Sequence, residues 1–167
     1  MGPIGHLSIG FATKRFAPKI PLWILLVSSW FIDIIFMIFA FLGIEGMENL
    51  KKAGSVPSPL SHGLFMALVW SILAVIVSFL ISKNKKYSLI IGLVVFSHWI
   101  LDFIVWSNQF LFFVGSPQVG FGLYDKFLFN IPNGMIIASL VEFALFIPCL
   151  ILYLTYVISK RKKEGQI

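Results

Sequence analysis

Four long apolar runs constrain this chain more than any other feature of its sequence. Each has the roughly 20 residues that a helix needs to cross the hydrocarbon core of a bilayer. They cover residues 21–42, 60–81, 87–107 and 133–159. The mean hydropathy of the chain, +0.95, is well above that of a water-soluble domain. We therefore predict a single all-α transmembrane domain over residues 1–167, built as an integral membrane four-helix bundle.

The thirteen Lys and Arg residues lie outside these runs and indicate the orientation of the helices. Three basic clusters, at residues 14–19, 83–86 and 160–163, fall on the same side of a four-span topology. The positive-inside rule then predicts that both termini face the cytoplasm. Because orientation accounts for the positive charge, no nucleic-acid partner is expected. Glu45 and Glu48, between the first two runs, are expected at the surface of an external loop.

Two further segments are apolar but do not match a spanning helix. A helix over residues 3–13 would rise only about 15 Å, so it either lies on the membrane surface or re-enters the membrane and packs against the first span. Its small residues, Gly5, Ser8 and Gly10, favour close packing. Residues 108–132 are aromatic and interrupted by glycines. They predict an interfacial cover between the third and fourth spans.

Acidic and imidazole side chains within or at the ends of the spans are the candidate functional residues. Such groups are rare in membranes and usually face the interior of a bundle. No Lys or Arg lies inside a predicted span to neutralise the acids, so either a proton or a bound divalent metal must stabilise them. Histidine favours the metal, because a neutral imidazole is a good ligand. The candidate metal ligands are His6, Asp33, His62, His98, Asp102 and Glu142.

The spacing of His98 and Asp102 strengthens this interpretation. The two residues are four positions apart in "FSHWILDF", so one helix face carries both. At about 1.5 Å per residue, His98, Asp33, Asp102 and Glu142 lie about 16 to 25 Å from the cytoplasmic ends of their helices. His62 lies at the outer end of the second span, so we expect a pocket that opens outward. A structural hydrogen-bonded pair at His98 and Asp102 stays an alternative, as does a protonated acid at Asp33 or Glu142.

The order of five short motifs resembles a bacterial family of membrane-bound metal-dependent hydrolases, which are small four-helix proteins. The motifs are "GHLSIGFATKRFAP", "FIDIIF", "PLSHGLFMALVW", "FSHWILDFIV" and "LVEFALF", and the likeness covers roughly residues 5–146. The resemblance implies a location in the bacterial cytoplasmic membrane. It also implies that a conserved metal-binding set is formed by His6, Asp33, His62, His98 and Asp102. Glu142 matches a further acid in the final helix of the family.

The order of ligands is also similar to that of the soluble zinc-dependent phospholipase C fold. This second likeness implies one ion held by Asp33, His62, His98 and Asp102, a second ion at His6 and Asp102, and a third at Glu142. Two departures bear on the number of ions: Trp106 and Gln109 stand where many relatives have another histidine and aspartate, and Ala138 replaces a histidine of the phospholipase pattern. One or two ions are therefore expected, with zinc as the expected metal.

The leading functional hypothesis is a membrane-embedded hydrolase that cleaves an ester or phosphoester of a lipid-like substrate through a metal-activated water. Asp33 or Glu142 would act as the general base if it does not coordinate the metal. The substrate class follows from the location alone. Two alternatives stay open, a protein that translocates protons or metal ions and a structural membrane protein that retains a metal site. The sequence gives no indication of the oligomeric state.

Overall fold

A computed structural model of the chain describes residues 1–45, 58–124 and 134–165. This part is mostly helical and contains seven helices: α1 (Pro3–Thr13), α2 (Leu22–Ser29), α3 (Phe31–Phe41), α4 (Pro59–His62), α5 (Leu64–Ser82), α6 (Lys85–Val105) and α7 (Gly134–Lys163). Two short strands, β1 (Gln109–Phe110) and β2 (Gln118–Val119), pair antiparallel. The helical prediction is confirmed, and the small hairpin is an addition to it.

Three of the described helices, α5, α6 and α7, are long and apolar enough to cross a membrane. The first predicted span, residues 21–42, is instead divided into α2 and α3, which are bent by 55° relative to each other. The prediction of a membrane protein is thus supported, but a bundle of four spans holds only if the bent pair counts as one. Lys51, Lys52 and Lys126, the basic residues that belong to none of the three clusters, lie outside the described residues.

Two serine hydroxyls bond the backbone at the break between α2 and α3. The hydroxyls of Ser28 and Ser29 donate to the carbonyl oxygens of Ile24 and Leu26, at 2.7 and 2.8 Å. Such bonds compete with regular helix hydrogen bonds. Trp30 then leaves the helical conformation, with φ −105° and ψ 4°. Non-helical backbone is tolerated at membrane depth only where protein covers it, and Ser29 is buried.

Helix α1 is covered by other helices along one face, while Pro3 and Ile4 are exposed. It packs against α2, α6 and α7, and it buries the face that carries Gly5, His6, Ser8 and Gly10. A Cβ atom at position 10 would lie only 3.0 Å from the carbonyl oxygen of Leu25. Glycine therefore lets α1 approach the backbone of α2, and this approach brings the buried face of α1 into the centre of the protein.

Backbone hydrogen bonds join the segment after α6 to the start of α5 and to the end of α6. The Phe65 N–H at the start of α5 donates to the Leu111 carbonyl at 3.0 Å, and the Phe121 N–H donates to the Phe103 carbonyl of α6 at 2.8 Å. The hairpin between these two bonds therefore covers the adjoining ends of α5 and α6. The aromatic cover predicted for residues 108–132 is described as far as Tyr124; residues 125–132 lie outside the described part.

Replacing Gly10 by methionine should lower the melting temperature of the purified protein in detergent, because the new side chain would meet the backbone of α2. Overpacking of this kind costs about 1–3 kcal/mol. Ile4→Met is the matched control, since Ile4 lies on the same helix and is 36% exposed. Equal melting temperatures for the two variants would contradict the close packing of α1 on α2.

Candidate metal centre

Five of the six candidate residues meet at one point of the bundle. One ligand atom from each of His6, His98 and Asp102 lies within 4.8 Å of the others, and the same holds for Asp33, His62 and His98. His6 comes from α1, Asp33 from α3 and His62 from α4, while α6 supplies His98 and Asp102. Four separate helices thus bring their imidazoles and carboxylates into one cluster.

His98 is the residue common to both groups, and a backbone hydrogen bond fixes the orientation of its ring. Nδ1 lies 3.0 Å from the carbonyl oxygen of Ser29. A carbonyl oxygen can only accept, so Nδ1 carries a hydrogen and donates it. In the neutral imidazole, Nε2 then has a lone pair. Among the described residues, this Nε2 atom is buried and has no hydrogen-bond partner.

The ligand atoms around His98 have the spacing expected for ligands of a single ion. Nε2 of His98 lies 3.4 Å from Oδ1 of Asp33 and 3.5 Å from Oδ2 of Asp102. Nε2 of His62 lies 3.2 Å and 3.7 Å from the same two oxygens. Around a tetrahedral ion with bonds of about 2.0–2.1 Å, neighbouring ligand atoms are about 3.3–3.4 Å apart. The four nitrogen–oxygen distances, 3.2 to 3.7 Å, are close to this value.

His6 lies at the edge of this cluster. Its Nε2 atom is 3.4 Å from the second carboxylate oxygen of Asp102, Oδ1, and its ring stacks on that of His98 with centroids 3.6 Å apart. The same Nε2 atom lies 3.2 Å from the carbonyl oxygen of Met1, which requires a donor. The amino nitrogen of Met1 also contacts Oδ1 of Asp102. His6 is close to Asp102 but is engaged by the backbone in this arrangement.

Glu142 belongs to neither group within the described part of the chain and lies at the N-terminus of α1. Its carboxylate accepts hydrogen bonds from the N–H groups of Gly2 and Gly5, at 2.7 and 3.3 Å. The hydroxyl of Tyr124 donates to it at 3.2 Å. Burial and the neighbouring Glu142 carboxylate raise the pKa of Tyr124 above its ordinary value, so the phenol stays a protonated donor. The start of a helix stabilises a carboxylate, which is a partner that the sequence did not reveal.

Glu45 is the residue that sequence reasoning missed. It was expected at the surface, but it is only 6% exposed. Its Oε2 atom accepts from the Ser61 hydroxyl at 2.7 Å, and Ser61 Oγ lies 2.8 Å from Nδ1 of His62. Two sequence features could have indicated this contact: a serine directly before His62, and an acid just after the first apolar run. Glu48 lies outside the described residues.

A cavity of about 320 Å³ opens over the cluster. Asp33, His62 and Asp102 contribute to its wall, so the ligand atoms are accessible from it. Its volume is at the lower end of the range for small-molecule sites. The other lining residues mix aromatic rings with amide and hydroxyl groups; they include Phe36, Ser58, Trp106, Asn108, Gln109 and Phe110. The arrangement can admit a small polar group flanked by apolar surface.

No family model, curated protein or solved structure matches the chain. The resemblance to membrane-bound metal-dependent hydrolases therefore stays a prediction. The functional argument rests on the geometry of the cluster and on the chemistry of its side chains.

Replacing Glu142 by glutamine should lower the melting temperature without changing the content of bound zinc. A glutamine offers one acceptor oxygen, whereas Gly2 and Gly5 each direct an N–H at a different carboxylate oxygen. Loss of a hydrogen bond to a charged group costs about 1.5–3 kcal/mol. Glu164→Gln is the control, because Glu164 is 47% exposed and pairs with Lys160 at 3.7 Å. Loss of zinc at unchanged stability would instead assign Glu142 to the metal.

Proposed function

We propose that this chain holds a divalent metal ion through Asp33, His62, His98 and Asp102 and that it hydrolyses an ester or phosphoester of a lipid-like substrate within the membrane. The metal site and the hydrolysis are separate steps of the proposal. The first depends on the geometry of four side chains. The second depends on the cavity beside them.

The observation that carries the metal site is the environment of Nε2 of His98. In the neutral ring the hydrogen-bonded Nδ1 leaves a lone pair on Nε2, which faces carboxylate oxygens of Asp33 and Asp102 at 3.4 and 3.5 Å. A lone pair and two anionic oxygens repel one another when buried without a positive charge between them. Among the described residues, the amino group of Met1 forms an ion pair with Asp102, and no Lys or Arg side chain forms one with either acid. A divalent cation removes the repulsion and neutralises both carboxylates.

The composition of the set favours zinc. Two imidazole nitrogens and two carboxylate oxygens are common zinc ligands, and the four nitrogen–oxygen distances are close to those around a tetrahedral ion. One ion uses Nε2 of both histidines, so the four residues define one site. A second ion near His6 would require its Nε2 atom to give up the contact with the Met1 carbonyl.

The cavity supplies the case for hydrolysis. A bound zinc ion would lower the pKa of a water and polarise an ester or phosphoester oxygen. Asp33 is 26% exposed, compared with 5% for Asp102, so its place on the ion is the one that a water from the cavity could take. The displaced Asp33 carboxylate would then lie beside that water and could accept its proton. Asn108 and Gln109 line the cavity and can hydrogen-bond a polar head group. Trp106 offers apolar surface to the rest of a lipid-like molecule.

The packing beside His98 favours a hydrolase over an ion pathway. Ile32, Ala67 and Val95 form a buried apolar cluster, and Val95 precedes His98 by one helical turn. A pathway for protons or metal ions would need polar groups on this side as well as on the cavity side. A second cavity, of about 750 Å³, also reaches Val95, but most of its lining is apolar and includes Ile24, Phe31 and Leu73. We therefore place ion translocation second and a purely structural metal site third.

Purified wild-type protein should contain about one equivalent of zinc per chain after mild extraction. His98→Ala and Asp102→Ala should each weaken zinc binding by about 100-fold or more, since losing a ligand exceeds the effect of losing an outer-shell partner. Ser97→Ala is the matched control, because the Ser97 hydroxyl bonds the Val94 carbonyl of its own helix at 2.6 Å. Inductively coupled plasma mass spectrometry measures the metal. A metal-free wild type would contradict the site.

The zinc-loaded wild type should release phosphate, head group or fatty acid from mixed bacterial lipids, and His98→Ala should not. Thin-layer chromatography and mass spectrometry of the products identify the bond that is cleaved. A zinc-loaded protein that is silent towards every lipid class would contradict hydrolysis and favour a structural metal site.

A further inference from the structure

We propose that Glu45 is a positioning residue for His62: acting through the Ser61 hydroxyl, it holds His62 in the tautomer that leaves Nε2 available as a ligand. The proposal rests on the proposed metal site and adds to it a residue outside the predicted spans and outside the predicted ligand set. The three side chains form a continuous chain, in the order Glu45, Ser61, His62.

The direction of each hydrogen bond follows from counting hydrogens. An ionised carboxylate only accepts, so the Ser61 hydroxyl donates to Oε2 of Glu45 across 2.7 Å. A hydroxyl has a single hydrogen. Ser61 Oγ must therefore accept at its 2.8 Å contact with Nδ1 of His62. His62 consequently carries a hydrogen on Nδ1. Its Nε2 atom lies 3.2 Å from Oδ1 of Asp33, a hydrogen-bond contact that a bound ion would replace.

The orientation of Glu45 is fixed by a second bond. Its Oε1 atom accepts from the Leu60 N–H at 2.7 Å. Leu60 lies in α4, the single helical turn that ends at His62 and has no side-chain cap of its own. Glu45 therefore holds both the backbone of this turn and the hydroxyl beside the imidazole. A buried acid with both oxygens engaged in this way is preorganised rather than free to rotate.

The second histidine of the proposed set shows the same arrangement with a different partner. Nδ1 of His98 donates to the Ser29 carbonyl, and its Nε2 atom faces the carboxylates. Both imidazoles thus have Nδ1 bonded to the protein and Nε2 directed at the cluster. Partners of this kind fix the tautomer and the ring orientation of metal-binding histidines. Glu45 and Ser61 thus orient the ring of His62, as the Ser29 carbonyl orients the ring of His98.

The Glu45→Gln variant inverts this relay with almost no change of shape. The Leu60 N–H still requires an acceptor, so the amide oxygen takes the place of Oε1 and the NH₂ group faces Ser61. The Ser61 oxygen then accepts from the amide, and its hydrogen turns towards Nδ1 of His62, which at 2.8 Å is closer than the Ser58 carbonyl at 3.5 Å. The imidazole hydrogen must move to Nε2, where it blocks the lone pair. Glutamine therefore opposes metal binding, whereas alanine only removes the constraint.

The test compares Glu45→Gln, Glu45→Ala and Ser61→Ala in the full-length protein, with Glu164→Gln as the exposed control. Zinc affinity should fall about 10- to 100-fold in Glu45→Gln, at least as far as in Glu45→Ala. The melting temperature should follow the opposite order, since glutamine keeps the Leu60 bond. A glutamine variant that binds zinc better than the alanine variant would reduce Glu45 to a purely structural role and overturn the proposal.

The tautomer itself can be read by ¹⁵N NMR of histidine-labelled protein, which has only three histidines. Nδ1 of His62 should carry a hydrogen in the wild type and lose it in Glu45→Gln. An unchanged Nδ1 signal would overturn the relay even if zinc binds. A changed signal in a protein that never binds zinc would support the relay while the metal site fails, so the two proposals are distinguishable.

Discussion

The hydrogen bond from Nδ1 of His98 to the carbonyl of Ser29 is the interaction on which the cluster depends. In a continuous helix that carbonyl would accept the N–H of Asp33, four residues on. The break at Trp30 makes it available to another helix and also begins α3, with Asp33 in its first turn. Carboxylates are favoured there because of the partial positive charge of a helix N-terminus. One kink therefore orients an imidazole and places the carboxylate that faces it.

Four acids among the described residues are stabilised without Lys or Arg, by backbone N–H groups, a hydroxyl, imidazoles or, for Asp102, also the amino group of Met1. Glu142 accepts backbone N–H groups at the start of α1, and Glu45 accepts one N–H and one hydroxyl. Asp33 and Asp102 face imidazoles. An uncompensated carboxylate inside a bundle is costly, but a helix end or a short turn can compensate it as well as a basic side chain can. The absence of internal basic residues is thus weaker support for metal than the geometry of one nitrogen atom.

The features that sequence predicted are those with a local cause. Apolar length predicted α5 and α6, and the spacing of four residues predicted that His98 and Asp102 share a face. The break in the first span was not predicted, because it depends on two serine hydroxyls and on a contact with another helix. In that contact the Ser29 carbonyl accepts a hydrogen bond from His98 of α6. The burial of Glu45 was missed for a similar reason, since its partners are 15 and 16 positions further along the chain.

The two sides of the cluster differ in a way that bears on how a substrate would approach. His98 is fully buried and held by backbone, and Asp102 is nearly as enclosed. Asp33 and His62 are 26% and 15% exposed and line the cavity. Rigid, enclosed ligands preserve the geometry of a site, while partly exposed ones permit exchange with water. A substrate would therefore meet the Asp33 and His62 side first, the same side on which Glu45 and Ser61 hold the imidazole in place.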